Sequence, residues 1–182
     1  MAQDTVARSL HDVGLAAWFG GTLANAVALN PAAAEADTAN GTGRVANTGW
    51  NKWTPVNAAA ISAHLAGSVG ELVGNRSRLA AQRGVGTTAL AKTGLTVAAL
   101  AVTGYSRLLG RKVAQENAVP ALAGTEPAAS TPDDVAKAQK RLSALQWAVP
   151  VLTGALIVVS SLAGEQQRAS EVKKGILARF TG

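Results

Sequence analysis

The sequence predicts an all-α polytopic membrane protein, a four-transmembrane-helix bundle that forms a single integral membrane domain over residues 1–182. Four apolar stretches carry most of that prediction: Val13–Leu29, Val56–Val73, Thr93–Leu109 and Trp147–Ala163. Each runs 17 or 18 residues, at the lower edge of the roughly 17 to 25 that cross a bilayer core at about 1.5 Å per residue. The placement of charge agrees. Only 15% of the residues are charged, against about 25% in a typical soluble domain, and they bunch between the stretches. None lies between Gly94 and Gly104 or between Trp147 and Gly164. The competing reading is a soluble, alanine-rich bundle with buried helices. A helix without a polar face needs neighbours on all sides, and four helices are too few to surround even one, so lipid must do it.

Residues 1–12 read as a short polar tail, and the first helix is expected to end at Asn30-Pro31. The Ala-rich run to Ala36 offers small residues of the signal-cleavage kind. Asp4 and Asp12 against a lone Arg8, with Asn25 inside the apolar run, predict that the segment is retained. The connection 32–54 is rich in Ala, Thr, Asn and Gly. The second helix is expected to start at Thr54 as cap, with Pro55 at the first helical position, where its missing N–H is harmless. Gly84 and Gly86 break the chain before the third helix, which Thr87 or Thr88 could cap.

Residues 115–131 read as a flexible loop. Ser130 or Thr131, followed by Pro132-Asp133-Asp134, then begins a charged helical extension that runs into the fourth span. Unbroken, that helix is about 48 Å long, with Pro150 placed to kink it. The tail 165–180 spaces Val172, Ile176 and Phe180 by four and reads as an interfacial amphipathic helix.

The net charge of +6 suits anionic lipid headgroups and topology signals. No aromatic-interleaved basic patch points to nucleic acid. The absence of cysteine excludes disulfides and thiolate chemistry, and no phosphate loop, nucleophile elbow or metalloprotease motif occurs. No enzyme activity, cofactor or metal is expected. Arg76, Arg78 and Arg83 crowd a short loop and favour both termini in the cytoplasm, while Arg111, Lys112, Lys137, Lys140 and Arg141 pull the other way. Trp50, Trp53, Tyr105 and Trp147 are expected to form an aromatic belt, with Trp18 in the opposite half of the first helix.

Two patterns are candidates for function. The first helix places Ala16, Gly20, Ala24 and Ala28 four apart, a groove in which another helix can approach closely. The second helix repeats the device with Ala63-Gly67 and Gly70-Gly74, and the fourth with Ser160-Gly164. These faces either pack the four helices together or dock a partner subunit. The other pattern is a polar stripe on the second helix: Asn57, His64, Glu71 and Arg78 recur every seven residues, which returns to one face about 20° short. An ionisable residue at membrane depth suggests function. Its groups either bond between helices, with Asn25 as one candidate partner, or contact lipid or a partner, or relay protons or hold a small ligand. Metal binding is disfavoured, because the other histidine, His11, falls at the far amino edge.

At Leu10-His11-Asp12-Val13-Gly14-Leu15-Ala16-Ala17-Trp18-Phe19-Gly20-Gly21, Trp53-Thr54-Pro55-Val56-Asn57 and Gln146-Trp147-Ala148-Val149-Pro150 the chain resembles small four-helix actinobacterial membrane proteins. It is similar to the LucB-type accessory subunits of mycobacterial MCE lipid transporters. The resemblance implies a non-catalytic accessory subunit in the cell inner (plasma) membrane, part of a larger complex with permease and ATPase subunits and in contact with membrane lipids. The alternative is a small proton-coupled carrier or ligand-binding membrane protein that uses His64 and Glu71.

Overall fold

The computed structural model describes residues 2–77, 82, 84–115, 119–168 and 177. Among these are four long helices and one small hairpin: α1 (Ala2–Ala24), α2 (Ala39–Gly74), α3 (Val85–Ala114), β1 (Ala121–Ala123), β2 (Glu126–Pro127) and α4 (Asp133–Glu165). Three helical segments are long and apolar enough to cross a membrane: Thr5–Glu35, Val85–Ala114 and Asp133–Glu165. They mark the chain as a membrane protein. α2 is not among them. Asn57, Ser62, His64, Ser68 and Glu71 lower its hydropathy over the stretch expected to span, although Val56, Val69, Leu72 and Val73 still point outward.

The helices start earlier and run longer than the apolar stretches alone predict. Residues 2–12 are helical and extend α1 by three turns. Asn30-Pro31 does not end the helical path. The backbone widens into a π turn over Asn25–Leu29, in which the Asn30 N–H reaches back to the Asn25 carbonyl. A proline ring clashes with the carbonyl four residues earlier in a regular helix, and the wider turn gives Pro31 room. Helical structure then continues through Asn30–Ala32 and a 3₁₀ turn, Ala33–Glu35, until Ala36 becomes extended at ψ 143°.

The connection expected from 32 to 54 is mostly helix. α2 begins at Ala39, where the Thr38 hydroxyl accepts from Gly41 N–H at 3.0 Å. Pro55 therefore sits inside the helix, and Thr54 is no cap: its hydroxyl donates to the Trp50 carbonyl one turn back at 2.8 Å. Gly84 takes φ +86°, a conformation open to glycine, and caps α3 from outside, while Thr88 bonds back to the Gly84 and Val85 carbonyls. Gly86 lies within the helix.

The segment read as a flexible loop contains the antiparallel β1–β2 hairpin. Thr131 ties it to the start of α4, accepting from Ala128 N–H at 2.9 Å and donating to the Pro120 carbonyl. α4 is continuous as expected, with Asp133 and Asp134 in its first turn and Pro150 inside it. Most of the amphipathic tail, with Val172, Ile176 and Phe180, lies outside the described residues.

α1 pairs with α2 and α3 with α4; α1 also crosses α4, whereas α2 and α3 scarcely touch. One core joins the pairs at Trp18, Ala60, Ala99 and Val149. A second lies beside the hairpin, where Val113, Val119, Val135 and Ala138 meet. Outward faces remain apolar: Val13 on α1, Leu90 and Val97 on α3 and Val151 on α4 are all more than half exposed. Lipid is the medium that such faces fit.

Candidate functional site

The α1–α2 contact is a seam of alternating small and ring-bearing residues. Ala7, His11, Gly14, Trp18 and Gly21 repeat at spacings of four and three, and so do Trp53, Asn57, Ala60, His64 and Gly67 on the antiparallel partner. A β-carbon on Gly14 would lie 2.5 Å from the Ala60 carbonyl oxygen, and one on Gly67 would lie 2.5 Å from the Ala7 carbonyl oxygen. On Gly21 it would enter the Trp53 ring, and on Gly70 it would meet the Ala7 methyl group at 2.7 Å. Close approach of two backbones is what these glycines permit.

His11 and His64 are both buried in this seam, with ring centroids 4.6 Å apart, and Trp18 packs 6.1 Å from His64. His11 is thus not remote from His64. The residues taken for a tail are helix, and the antiparallel pairing brings position 11 level with positions 64 and 67. His64 Nδ1 lies 3.4 Å from the His11 carbonyl oxygen and Nε2 lies 3.4 Å from Thr96 Oγ1. A carbonyl only accepts, so Nδ1 carries the proton and Nε2 accepts from the hydroxyl. His11 Nδ1 donates to Asp12 Oδ1 at 2.8 Å. No group of three metal-ligating side chains occurs among the described residues.

The remaining stripe residues are placed as follows. Glu71 forms a largely buried ion pair with Lys92 of α3 at 2.9 Å. Asn57 lines a cleft between α2 and α3. Asn25 does not meet His64; its Nδ2 is buried without a partner among the described residues. Arg78 lies outside the described residues. Trp18 is core rather than belt, completely buried, while Tyr105 and Trp147 are exposed as belt residues should be. Trp50 donates to Asn30 Oδ1 at 2.9 Å, and Trp53 stacks against Gly21.

The small-residue faces divide into two sets. Gly67 and Gly70 face α1, whereas Gly74 is exposed at the end of α2. Ala16, Ala24 and Ala28 are exposed, and a β-carbon on Gly20 would meet nothing within 4 Å. From Gly20 to Ala28 the α1 stripe therefore looks outward, while Ala16 borders the cavity that α1 shares with α4.

Sequence reasoning passed over Asn30, which is buried at the junction of four elements. Its Nδ2 donates to Gln146 Oε1 of α4 at 2.6 Å, its Oδ1 accepts from Trp50 of α2, and its carbonyl accepts from Gly124 N–H of the hairpin turn at 2.9 Å. Beyond the apolar stretches, Lys112 of α3 pairs with Asp134 of α4 at 3.0 Å. That hydrogen bond holds the Asp134 carboxyl below the usual carboxylate range.

A cleft of about 250 Å³ opens between the two helix pairs. Trp53 and Asn57 of α2 face Thr103, Ser106 and Arg107 of α3 across it. A second cavity, of about 330 Å³, lies at the amino end of α1 among Arg8, His11, Glu71, Lys92 and Ser160. The second cavity also takes in Asp12, hydrogen-bonded to His11, and the Glu71–Lys92 ion pair. No protein-family model, curated protein or solved structure matches this chain.

Proposed function

We propose that the chain is a non-catalytic accessory subunit of a larger membrane complex, of the lipid-import type that its resemblance to MCE accessory subunits implies. On this reading all four helices cross the cell inner membrane, α2 included, and the outward face of α1 docks a transmembrane helix of the permease. The observation that supports it best is the unfilled stripe Ala16, Gly20, Ala24 and Ala28. Four small residues on a lipid-facing surface leave a helix-sized groove, and close van der Waals packing is what drives helices together in lipid. His64 and Glu71 are engaged in contacts with α1 and α3, which favours structural roles for them over a carrier mechanism.

The test is purification of the tagged native chain in mild detergent, with Gly20→Leu beside it. The expected result is a stoichiometric integral membrane partner that is lost in the variant, while the variant chain keeps its own thermal stability. A chain that runs alone, or a partner that survives Gly20→Leu, overturns the reading.

A further inference from the structure

The cleft between α2 and α3 contains an unusual set of unpartnered polar atoms. Trp53 Nε1, Asn57 Oδ1, Thr103 Oγ1 and Ser106 Oγ are all buried and lack a hydrogen-bond partner among the described residues, and all four residues line the same cleft. Buried polar groups are nearly always satisfied, because an unpaired one forfeits the hydrogen bonds it makes to water. Four around one space point to something that fills it. Arg107, on the same wall, has no ion-pair partner among the described residues.

The rest of the lining is mostly apolar. Val113, Leu142 and Leu145 line it towards the hairpin, beside Asn47 and Gln146, and Val149 closes it towards the bundle centre. Along α2, from Asn47 to Ile61, it runs about 21 Å at 1.5 Å per residue. One polar cluster in an otherwise mostly apolar cleft of this length fits an amphipathic chain better than water or a compact solute. Trp53 and Arg107 donate hydrogen bonds, Asn57 Oδ1 accepts, and the two hydroxyls can do either. The matching head group offers an anionic oxygen to Arg107 and the indole, and a hydroxyl to Asn57.

We propose that this cleft binds a single-chain lipid whose head carries both an anionic oxygen and a hydroxyl, as a lysophospholipid does. The site belongs to the isolated chain and does not rest on partner docking. Absence of a partner in native purification would leave it standing.

The experiment is fluorescence quenching of the purified full chain in mild detergent, in a Trp147→Phe background that removes an exposed belt indole. Three probes with dibrominated acyl chains are compared: lysophosphatidylglycerol, a free fatty acid and a monoacylglycerol. Saturable quenching is expected, tightest for lysophosphatidylglycerol. Arg107→Gln should weaken that probe about tenfold or more while leaving the monoacylglycerol unchanged. Ser106→Ala should weaken lysophosphatidylglycerol by a smaller factor and leave helicity intact. Non-saturable quenching, equal midpoints for the three probes, or an Arg107→Gln variant that binds lysophosphatidylglycerol as the parent does would each overturn the assignment.

Discussion

The imidazoles of His11 and His64 pack 4.6 Å apart, centroid to centroid, where α1 and α2 cross most closely. Their contact exists because Gly14 and Gly67 flank it: each glycine lets the partner backbone come near enough for a ring to reach across. The histidine pair and the glycines are one packing device, and either half should fail without the other.

Gly67→Ala tests this directly. The new methyl group meets the main chain at Ala7 and His11, and main chain cannot rotate aside as a flexible side chain can. Overpacking of this kind costs about 1–3 kcal/mol. Thermal unfolding in detergent should show a lower midpoint for Gly67→Ala and for Gly14→Ala, whereas Gly20→Ala, which meets nothing, should unfold like the parent.

Asn30 makes a second prediction. Replacing it with Ala removes the bond to Gln146 and leaves the Trp50 indole N–H without its acceptor. An unsatisfied donor of this kind costs about 1–3 kcal/mol. Asn30→Asp keeps an acceptor for Trp50 and should recover part of the loss. Urea or thermal denaturation orders the three proteins parent, Asp, Ala; an Ala variant as stable as the parent would show that the junction carries no stability.

How much of this was legible in the sequence differs from element to element. Each of the four apolar stretches falls within a long helix, because an apolar run with few charges has few alternatives in lipid. Helix ends were read poorly because Thr54-Pro55 and Asn30-Pro31 have the composition of boundaries. Packing kept both within helical backbone, by extending α2 back to Thr38 and by widening α1 into a π turn. The heptad-like series Ala7, His11, Gly14, Trp18 and Gly21 was present in the sequence. A polar-tail reading of residues 1–12 conceals it, and with it the partner of His64. Asn30 could not have been found from spacing, since its bonds reach α2, α4 and the hairpin turn. The α2–α3 cleft likewise depends on how the two helix pairs meet.

The Lys112–Asp134 pair gives a pH dependence with a definite sign. Asp134 lies ahead of the apolar part of α4 with its side chain exposed, and the Lys112 ammonium lowers its pKa in the folded protein. A carboxyl depressed on folding contributes stability above its unfolded pKa and loses it as pH falls through the folded value. The contribution is small, as for other exposed pairs. Carboxyl-carbon NMR should place the Asp134 titration below the usual aspartate range, and Lys112→Gln should return it upward. An unchanged midpoint in that variant would show that the ammonium is not the cause.

Glu71 and Lys92 separate a structural from a transport role for the polar stripe. The pair is about four-fifths buried and joins α2 to α3, the two helices that otherwise scarcely meet. Removing one partner strands a charge in a poorly solvated place, and breaking a fully buried pair costs about 3–5 kcal/mol. Partial exposure here reduces that to about 1–3 kcal/mol. Lys92→Met alone should therefore lower the unfolding midpoint, and Lys92→Met with Glu71→Leu should restore much of it, since the stranded carboxylate has gone. A double-mutant cycle read by thermal unfolding measures the coupling. If the double variant is instead as unstable as the single one, the ion pair is not what joins these helices. If it is stable but abolishes solute or proton flux in reconstituted vesicles, Glu71 moves from the scaffold to a transport path.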